Sequence, residues 1–290
     1  MLDFTKVSVL GNDFIVFVSE AGNLKFDQER LGGLCDRRNG VGGDGVLTAV
    51  KIAAADNGGA SLSYPDPIWR VSQYDRFGAI EKLSGNGACA VVHCVKEKGL
   101  VAHKRRDTIA VINGEQIFDV LVGVGGYGVN LSRWQLLTSS ASKSHSDVER
   151  RDADGLDISI GKTHRVVQLV NKTELQKIDS GEFSEACRVS GFDAAVFACL
   201  EENPVQDGIG QIRARFYTGK NGELPADAEA AAAAALTLRR SFGRGGLLVH
   251  NWRVIVPGGQ VAVRMFPTQD GEHVSVRTRA ETVFTGSVAT

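Results

Sequence analysis

Two stretches of this chain place polar groups with chemical potential at the start of apolar helices. Gly222–Gly243 reads GELPADAEAAAAAALTLRRSFG. Asp227 stands just ahead of the alanine run, where its carboxylate can cap the free backbone N–H groups of a first turn. A helix start attracts anions, and Glu229 adds negative charge at that positive end. A carboxylate held there could also move protons as a general acid or base. An aspartate in this position can equally do nothing but cap. Leu83–Gly99, LSGNGACAVVHCVKEKG, has the same design. Ser84 is a small capping residue, Gly85-Asn86-Gly87 forms the turn, an apolar body follows, and lysines come late.

Both segments need to be buried, because they are apolar on all sides. Ala228–Leu238 carries the best helix former at nearly every position. Pro225 stiffens the approach, Arg239 and Arg240 suit the C-terminal end of the dipole, and Gly243 can end the helix in a left-handed conformation. Short apolar runs surround each helix. Phe4–Leu10 and Phe14–Ser19, split by Gly11-Asn12-Asp13, read as strand, turn, strand. Phe26–Arg38 reads as an amphipathic helix capped by Asp27. Asn39–Gly45, NGVGGDG, lacks the G-K-[ST] of a P-loop and reads as a tight loop before the strand Val46–Ile52. Arg70–Tyr74 alternates like a strand, and Asp75–Lys82 is a polar loop leading to Ser84. Thr108–Val111, Gln116–Val122 and Gly128–Leu131 are further strands.

The second half replays this order. Leu156–Ile160, a polar turn Gly161-Lys162-Thr163-His164, and Arg165–Val170 repeat strand, turn, strand. Thr173–Glu185 is partly helical, Asp193–Leu200 and Ile212–Tyr217 are strands, and Thr218–Glu223 is a loop ahead of Asp227. His250–Val256 and Gln260–Phe266 flank Pro257-Gly258-Gly259 as a hairpin, and Val274–Thr278 and Glu281–Val288 finish the sheet. Ala53–Trp69 and Ser139–Asp154 read as surface excursions, with His145 solvated in the second. The expected fold is therefore α+β, with two domains that each wrap a mixed or antiparallel sheet round a central helix. Residues 1–120 make the first domain, to which a strand at 276–290 could return, and residues 121–275 make the second.

Composition excludes several classes. The 290 residues hold 33 Lys+Arg against 34 Asp+Glu, so no global field recruits nucleic acid or a membrane surface. No apolar run is long enough to span a bilayer, and the start MLDFTKVSVLGND has no signal-peptide pattern. The odd count of 5 cysteines, none in a C-x-x-C pair, suggests a reduced cytoplasmic protein and gives no pointer to metal.

FTKVSVLGNDFIVF at the start, LCDRRNGVGGDGVL at Leu34–Leu47 and LSGNGACA at Leu83–Ala90 resemble the diaminopimelate epimerase family. GKTH at Gly161–His164, Gly222-Glu223 and the end VPGGQVAVRM…AETVFTGSV extend the resemblance over nearly the whole chain. The resemblance implies a duplicated fold, a small-molecule substrate, no pyridoxal cofactor or metal, and a possible homodimer. In the family, a cysteine thiolate at one helix mouth removes an α-proton and a cysteine thiol at the other returns one, while the helix starts hold the substrate carboxylate. Here Ser84 and Asp227 stand where those cysteines would be. Cys89 lies beyond the mouth and does not replace the missing thiol.

The resemblance also places Asn12, Asp75, Gly85, Asn86, Lys162, His164, Ala228 and Glu229 among the substrate-binding positions. Several are altered: Asp75 stands for an asparagine, and of the Asn-Pro-His that follows the glycine of a Gly-Asn-Pro-His turn only His164 remains. Thr218-Gly219 replaces a glutamate–arginine pair whose arginine would clamp a distal carboxylate, which argues against diaminopimelate as substrate. Pro225-Ala226-Asp227-Ala228 is similar to the acid-bearing helix start of the phenazine-biosynthesis isomerases. Three functions remain open. One is a repurposed isomerase or cyclase, with Asp227 as acid/base and Ser84 and Asn86 as donors to a developing oxyanion. The others are a non-catalytic descendant keeping only the cleft, and an amino-acid epimerase with altered bases.

Overall fold

The computed structural model describes residues 1–20, 22, 24–52, 68–101, 108–114, 116–137, 155–179, 181, 191–242 and 249–289. The loops expected at 53–69 and 139–154, His145 included, and the helix stop at Gly243 lie outside them, apart from residues 68 and 69. The described residues form a mixed α/β protein that is mostly strand. They divide into two compact units, Met1–Val129 with Thr278–Thr290, and Asn130–Arg277. Among the described residues, no helix is long and apolar enough to cross a membrane.

In the first unit, β1 (Leu2–Val9) and β2 (Asn12–Ser19) form a hairpin closed by Leu10 and Gly11, both at positive φ (51° and 87°). Two left-handed residues match the twist of the flanking strands. Helix α1 (Gln28–Cys35) carries the chain over to β3 (Gly45–Ile52), which lies parallel to β2. Asp27 caps it as expected, accepting from the Arg30 N–H at 2.7 Å. The helix ends three residues before the expected Arg38. Asp36 leaves helical geometry there, and its Oδ1 takes the N–H groups of Arg38 and Asn39 instead.

The glycine-rich loop that follows is a close-packed turn. Gly42 sits at φ +79°, and a Cβ on Gly40 would lie 2.1 Å from the Gly33 carbonyl oxygen. Asp44 fastens the loop to the β1–β2 turn: its N–H donates to the Asp13 carbonyl at 2.7 Å, and its Oδ2 accepts the Asp13 N–H at 2.9 Å. Lys6 and Arg37 neutralise Asp13, each at 3.3 Å.

β4 (Ile68–Asp75) pairs antiparallel with β3, and the short β5 (Ile80–Glu81) pairs with β4 inside the expected polar loop. Helix α2 (Gly85–Glu97) leads to β6 (Thr108–Asn113), parallel to β4, then to β7 (Gln116–Gly123) and β8 (Gly126–Arg133).

The second unit holds β9 (Gln135–Leu137), β10 (Leu156–Ile160), β11 (Lys162–Gln168), α3 (Lys172–Gln176), β12 (Ala194–Gln206), β13 (Ile209–Thr218) and β14 (Gly222–Leu224). It continues with α4 (Ala228–Phe242), β15 (Asn251–Val256), β16 (Gly259–Thr268) and β17 (Gly271–Thr278), and β18 (Ala280–Val288) pairs back with β1 in the first unit. Pairing types recur in the same order. In the first unit β1/β2 is antiparallel, β2/β3 parallel, β3/β4 antiparallel and β4/β6 parallel. In the second, β10/β11, β11/β12, β12/β13 and β13/β15 repeat that series.

Two expectations change here. Lys162, Thr163 and His164 are strand, not turn, because Gly161 alone at φ +68° reverses the chain and lets β11 begin at once. The expected loop Thr218–Glu223 contains the start of β14, which folds back on β13.

α2 packs on β1, β2, β3, β6, β7 and β18, and α4 on β10, β11, β12, β13, β15 and β16. Gly85–Val95 and Ala228–Leu238 are accordingly buried on every side. In the second unit the bulk comes from the strands, with Phe216 and Trp252 fully buried, while Phe197 and Tyr217 fill the opposite face of the sheet with Leu175 and Ile178. The last turn of α4 is stapled to β17. Glu272 accepts two hydrogen bonds from Arg239, at 2.6 and 2.8 Å, and one from Trp134 Nε1 at 3.2 Å. These contacts hold its carboxyl below the ordinary range, the Arg239 hydrogen bonds most.

Packing this close leaves no room for growth at the helix surface. Ala232→Leu should lower stability by about 1–3 kcal/mol through overpacking. Arg240→Ala, at an exposed position of the same helix, should stay within about 0.5 kcal/mol. Urea unfolding midpoints of the two variants check this.

Candidate functional site

Each unit presents one buried helix start. In the first, Ser84 has extended backbone geometry (φ −90°, ψ 159°) and caps α2, its Oγ accepting the Gly87 N–H at 3.0 Å. The hydroxyl proton goes elsewhere. Gln73, on the inward face of β4, sets its Oε1 3.0 Å from the Ser84 N–H and 3.1 Å from Ser84 Oγ. Ser84 and Gln73 are both buried. Asn86 is buried in the first helical turn beside Gly85.

Asp75, two residues beyond Gln73 on the same strand face, organises the turn before the helix. Its Oδ1 accepts the N–H groups of Phe77 and Ala79, both at 2.8 Å. Asn12 closes the β1–β2 hairpin through Nδ2 to the Val9 carbonyl at 3.4 Å. Cys89 lies inside the body of α2 with its thiol 4.0 Å from the Tyr127 carbonyl oxygen, away from the mouth. Burial also pushes up the thiols of Cys35 (to about 12), Cys94 and Cys199 (to about 11), so none of these three is a poised thiolate.

In the second unit Asp227 caps α4. Its Oδ1 accepts the Ala230 N–H at 2.7 Å and its carbonyl accepts the Ala231 N–H at 3.0 Å. The residue is half-buried, and Oδ2 makes no hydrogen bond among the described residues. Ala228 and Glu229 are buried in the first turn.

His164 is the notable neighbour. It sits on β11, where Val167 joins the apolar cluster with Leu175 and Ile178 at α3, so alternation turns His164 to the opposite face, towards α4. The ring is 0 % exposed, and neither nitrogen has a hydrogen-bond partner among the described residues. Burial pushes its pKa down, so the imidazole is neutral near pH 7. Asp227 is the strongest charge acting the other way, with Asp193 behind it, while the Lys162 charge adds to the downward push. The Ile158 backbone, across the β10–β11 ladder, also favours the protonated ring, though it does not reach hydrogen-bonding geometry with either nitrogen.

The structure thus brings Lys162, His164 and Asp227 within electrostatic reach of one another, and Ser84 together with Gln73 in the other unit. Asn12 and Asp75 serve turns near their own strands. Two participants escaped the sequence reading. Gln73 had a signal, since Trp69, Val71, Gln73 and Asp75 alternate inward on β4, and a polar group there needs a partner. Asp193 stands just before β12 and pins the start of β11, its Oδ2 accepting the Thr163 N–H at 2.7 Å.

No profile of a known protein family matches the chain. The diaminopimelate epimerase of Corynebacterium glutamicum is 27% identical over 275 residues, covering 91% of this chain and 91% of that protein. Among solved structures, a phenazine biosynthesis protein of the PhzF family from Bacillus anthracis superposes with a TM-score of 0.73 at 14% identity, over 100% of this chain and 99% of that one. A hydroxyproline epimerase from Agrobacterium vitis superposes with a TM-score of 0.66 at 10% identity, over 98% of this chain and 91% of that one. Together with the motifs, these likenesses bear out the resemblance to the diaminopimelate epimerase family and support an isomerase-type enzyme.

Proposed function

We propose that this chain is a cofactor-independent isomerase or cyclase, built from two copies of one domain plan, that uses Asp227 as a general acid/base on a small molecule other than diaminopimelate. One observation carries the reading. A fully buried, neutral imidazole with two unpartnered nitrogens lies within electrostatic reach of a carboxylate that uses one of its two oxygens in capping. An imidazole held neutral there can hydrogen-bond a substrate group. In the other unit, Ser84 and Asn86 stand at a helix start whose amides can hydrogen-bond an anionic group. Lys162 offers a cation where the family's arginine clamp is gone. Asn12, Asp75, Gly85, Ala228 and Glu229 complete the proposed binding positions. A soluble cytoplasmic homodimer fits the cysteine usage and the resemblance. A binding protein without chemistry is the competing reading, favoured by the hydrogen bonds that already engage the Ser84 N–H, its hydroxyl proton and one lone pair.

The decisive comparison is between the wild type and Asp227→Asn. A panel of small 2-amino acids, 2-hydroxy acids and cyclic unsaturated acids is incubated in D₂O and deuterium uptake is read by mass spectrometry. Wild type should exchange at least one class, and Asp227→Asn should be slower by about 10²-fold or more. Equal rates in both proteins would remove Asp227 from the chemistry.

The state of His164 has its own readout. Its folded pKa lies below the unfolded value of about 6.5, so the unfolded chain binds the extra proton and stability drops as pH falls through that value. His93 shifts in the same direction and contributes to the wild-type slope. His164→Phe should therefore flatten, without abolishing, the loss of stability between pH 7 and pH 5, measured as urea midpoints. An unchanged slope would mean that His164 is not buried neutral.

A further inference from the structure

The two helix mouths differ in what they leave available, and Gln73 makes the difference. The Ser84 N–H can only donate, so the Gln73 atom 3.0 Å from it is the amide oxygen. That same oxygen lies 3.1 Å from Ser84 Oγ, so the hydroxyl is also a donor to it. Turning the amide over would set its NH₂ group against the Ser84 N–H. The amide lies close against the first turn, where a Cβ on Gly87 would come within 2.4 Å of its Oε1. Ser84 Oγ meanwhile accepts the Gly87 N–H. Its proton and one lone pair are thus both in use, and the atom facing that proton is an acceptor. An anion at position 84 would gain from the helix start and lose against the lone pairs of Gln73.

We propose that Gln73 is a positioning residue that holds position 84 neutral, so that the mouth of α2 takes no part in proton transfer and the proton traffic runs through Asp227 alone. The second half of this statement rests on the isomerase reading above. In such a reaction the Asp227 carboxylate takes a proton from a substrate C–H. The electron pair stays on the substrate, delocalised into adjoining unsaturation or a carboxyl group. The same carboxyl then returns the proton to carbon on the same face. Nothing is oxidised or reduced, and inversion by two opposed bases is not available.

Position 84 can be interrogated with a thiol, which the fold accommodates because the family resemblance places cysteine there. The Ser84→Cys thiol is titrated by its thiolate absorbance near 240 nm, with wild type as the background for the native cysteines. A helix start alone lowers a thiol pKa well below about 8.5. With Gln73 in place the new thiol should titrate at about 8.5 or higher. Adding Gln73→Leu should lower it by about one unit or more, and adding Gln73→Glu should raise it. The glutamate variant keeps an acceptor for the Ser84 N–H and decides the matter if the leucine variant fails to fold. A Ser84→Cys thiol that titrates well below 8.5 and moves in neither double variant overturns the proposal. This titration needs no substrate, so its outcome is separate from the deuterium-uptake test of Asp227.

Discussion

A buried helix must satisfy the N–H groups of its first turn without help from water, and that requirement shapes both candidate sites. Strands enclose α2 and α4, and Gly85–Val95 and Ala228–Leu238 are buried. Only side chains at the mouths can supply acceptors. Ser84 supplies one for Gly87 and Asp227 one for Ala230. A hydroxyl has one proton and Gln73 takes it, so the cap at Ser84 is closed. A carboxylate has two oxygens and the cap uses one, so Asp227 retains an atom to act with. The asymmetry between the mouths follows from how many acceptor atoms each capping side chain carries.

Much of this was legible in the sequence because it is local. Apolar runs bounded by glycine and asparagine fixed most strands to within a few residues, and β10 falls on Leu156–Ile160 as read. The Asp27, Ser84 and Asp227 caps announce themselves by residue type and by the apolar run that follows. The sequence failed where a distant partner decides. Lys162-Thr163-His164 looks like a polar turn, yet it is strand because the Asp193 carboxylate and backbone hold Thr163 and the ladder with β10 reaches Lys162. Gln73 looks like one more polar residue in an alternating strand until Ser84, eleven positions on, is seen against it. The burial of His164 comes from β11 meeting the face of α4, which no nearby residue signals.

Capping alone accounts for the residue types at both helix starts, which bears on how the chain is read. Serine and aspartate are among the best helix N-caps, each worth about 1 kcal/mol over alanine. A chain under no catalytic demand would settle on such residues for stability alone, so Ser84 and Asp227 by themselves do not separate an enzyme from an inert protein. His164 does. A buried polar group without a partner costs about 1–3 kcal/mol, and an apolar ring of similar shape would avoid that cost. Stability alone therefore favours replacing this histidine. Its burial within electrostatic reach of Asp227, whose cap uses one of two carboxylate oxygens, is an arrangement that chemistry accounts for and folding does not.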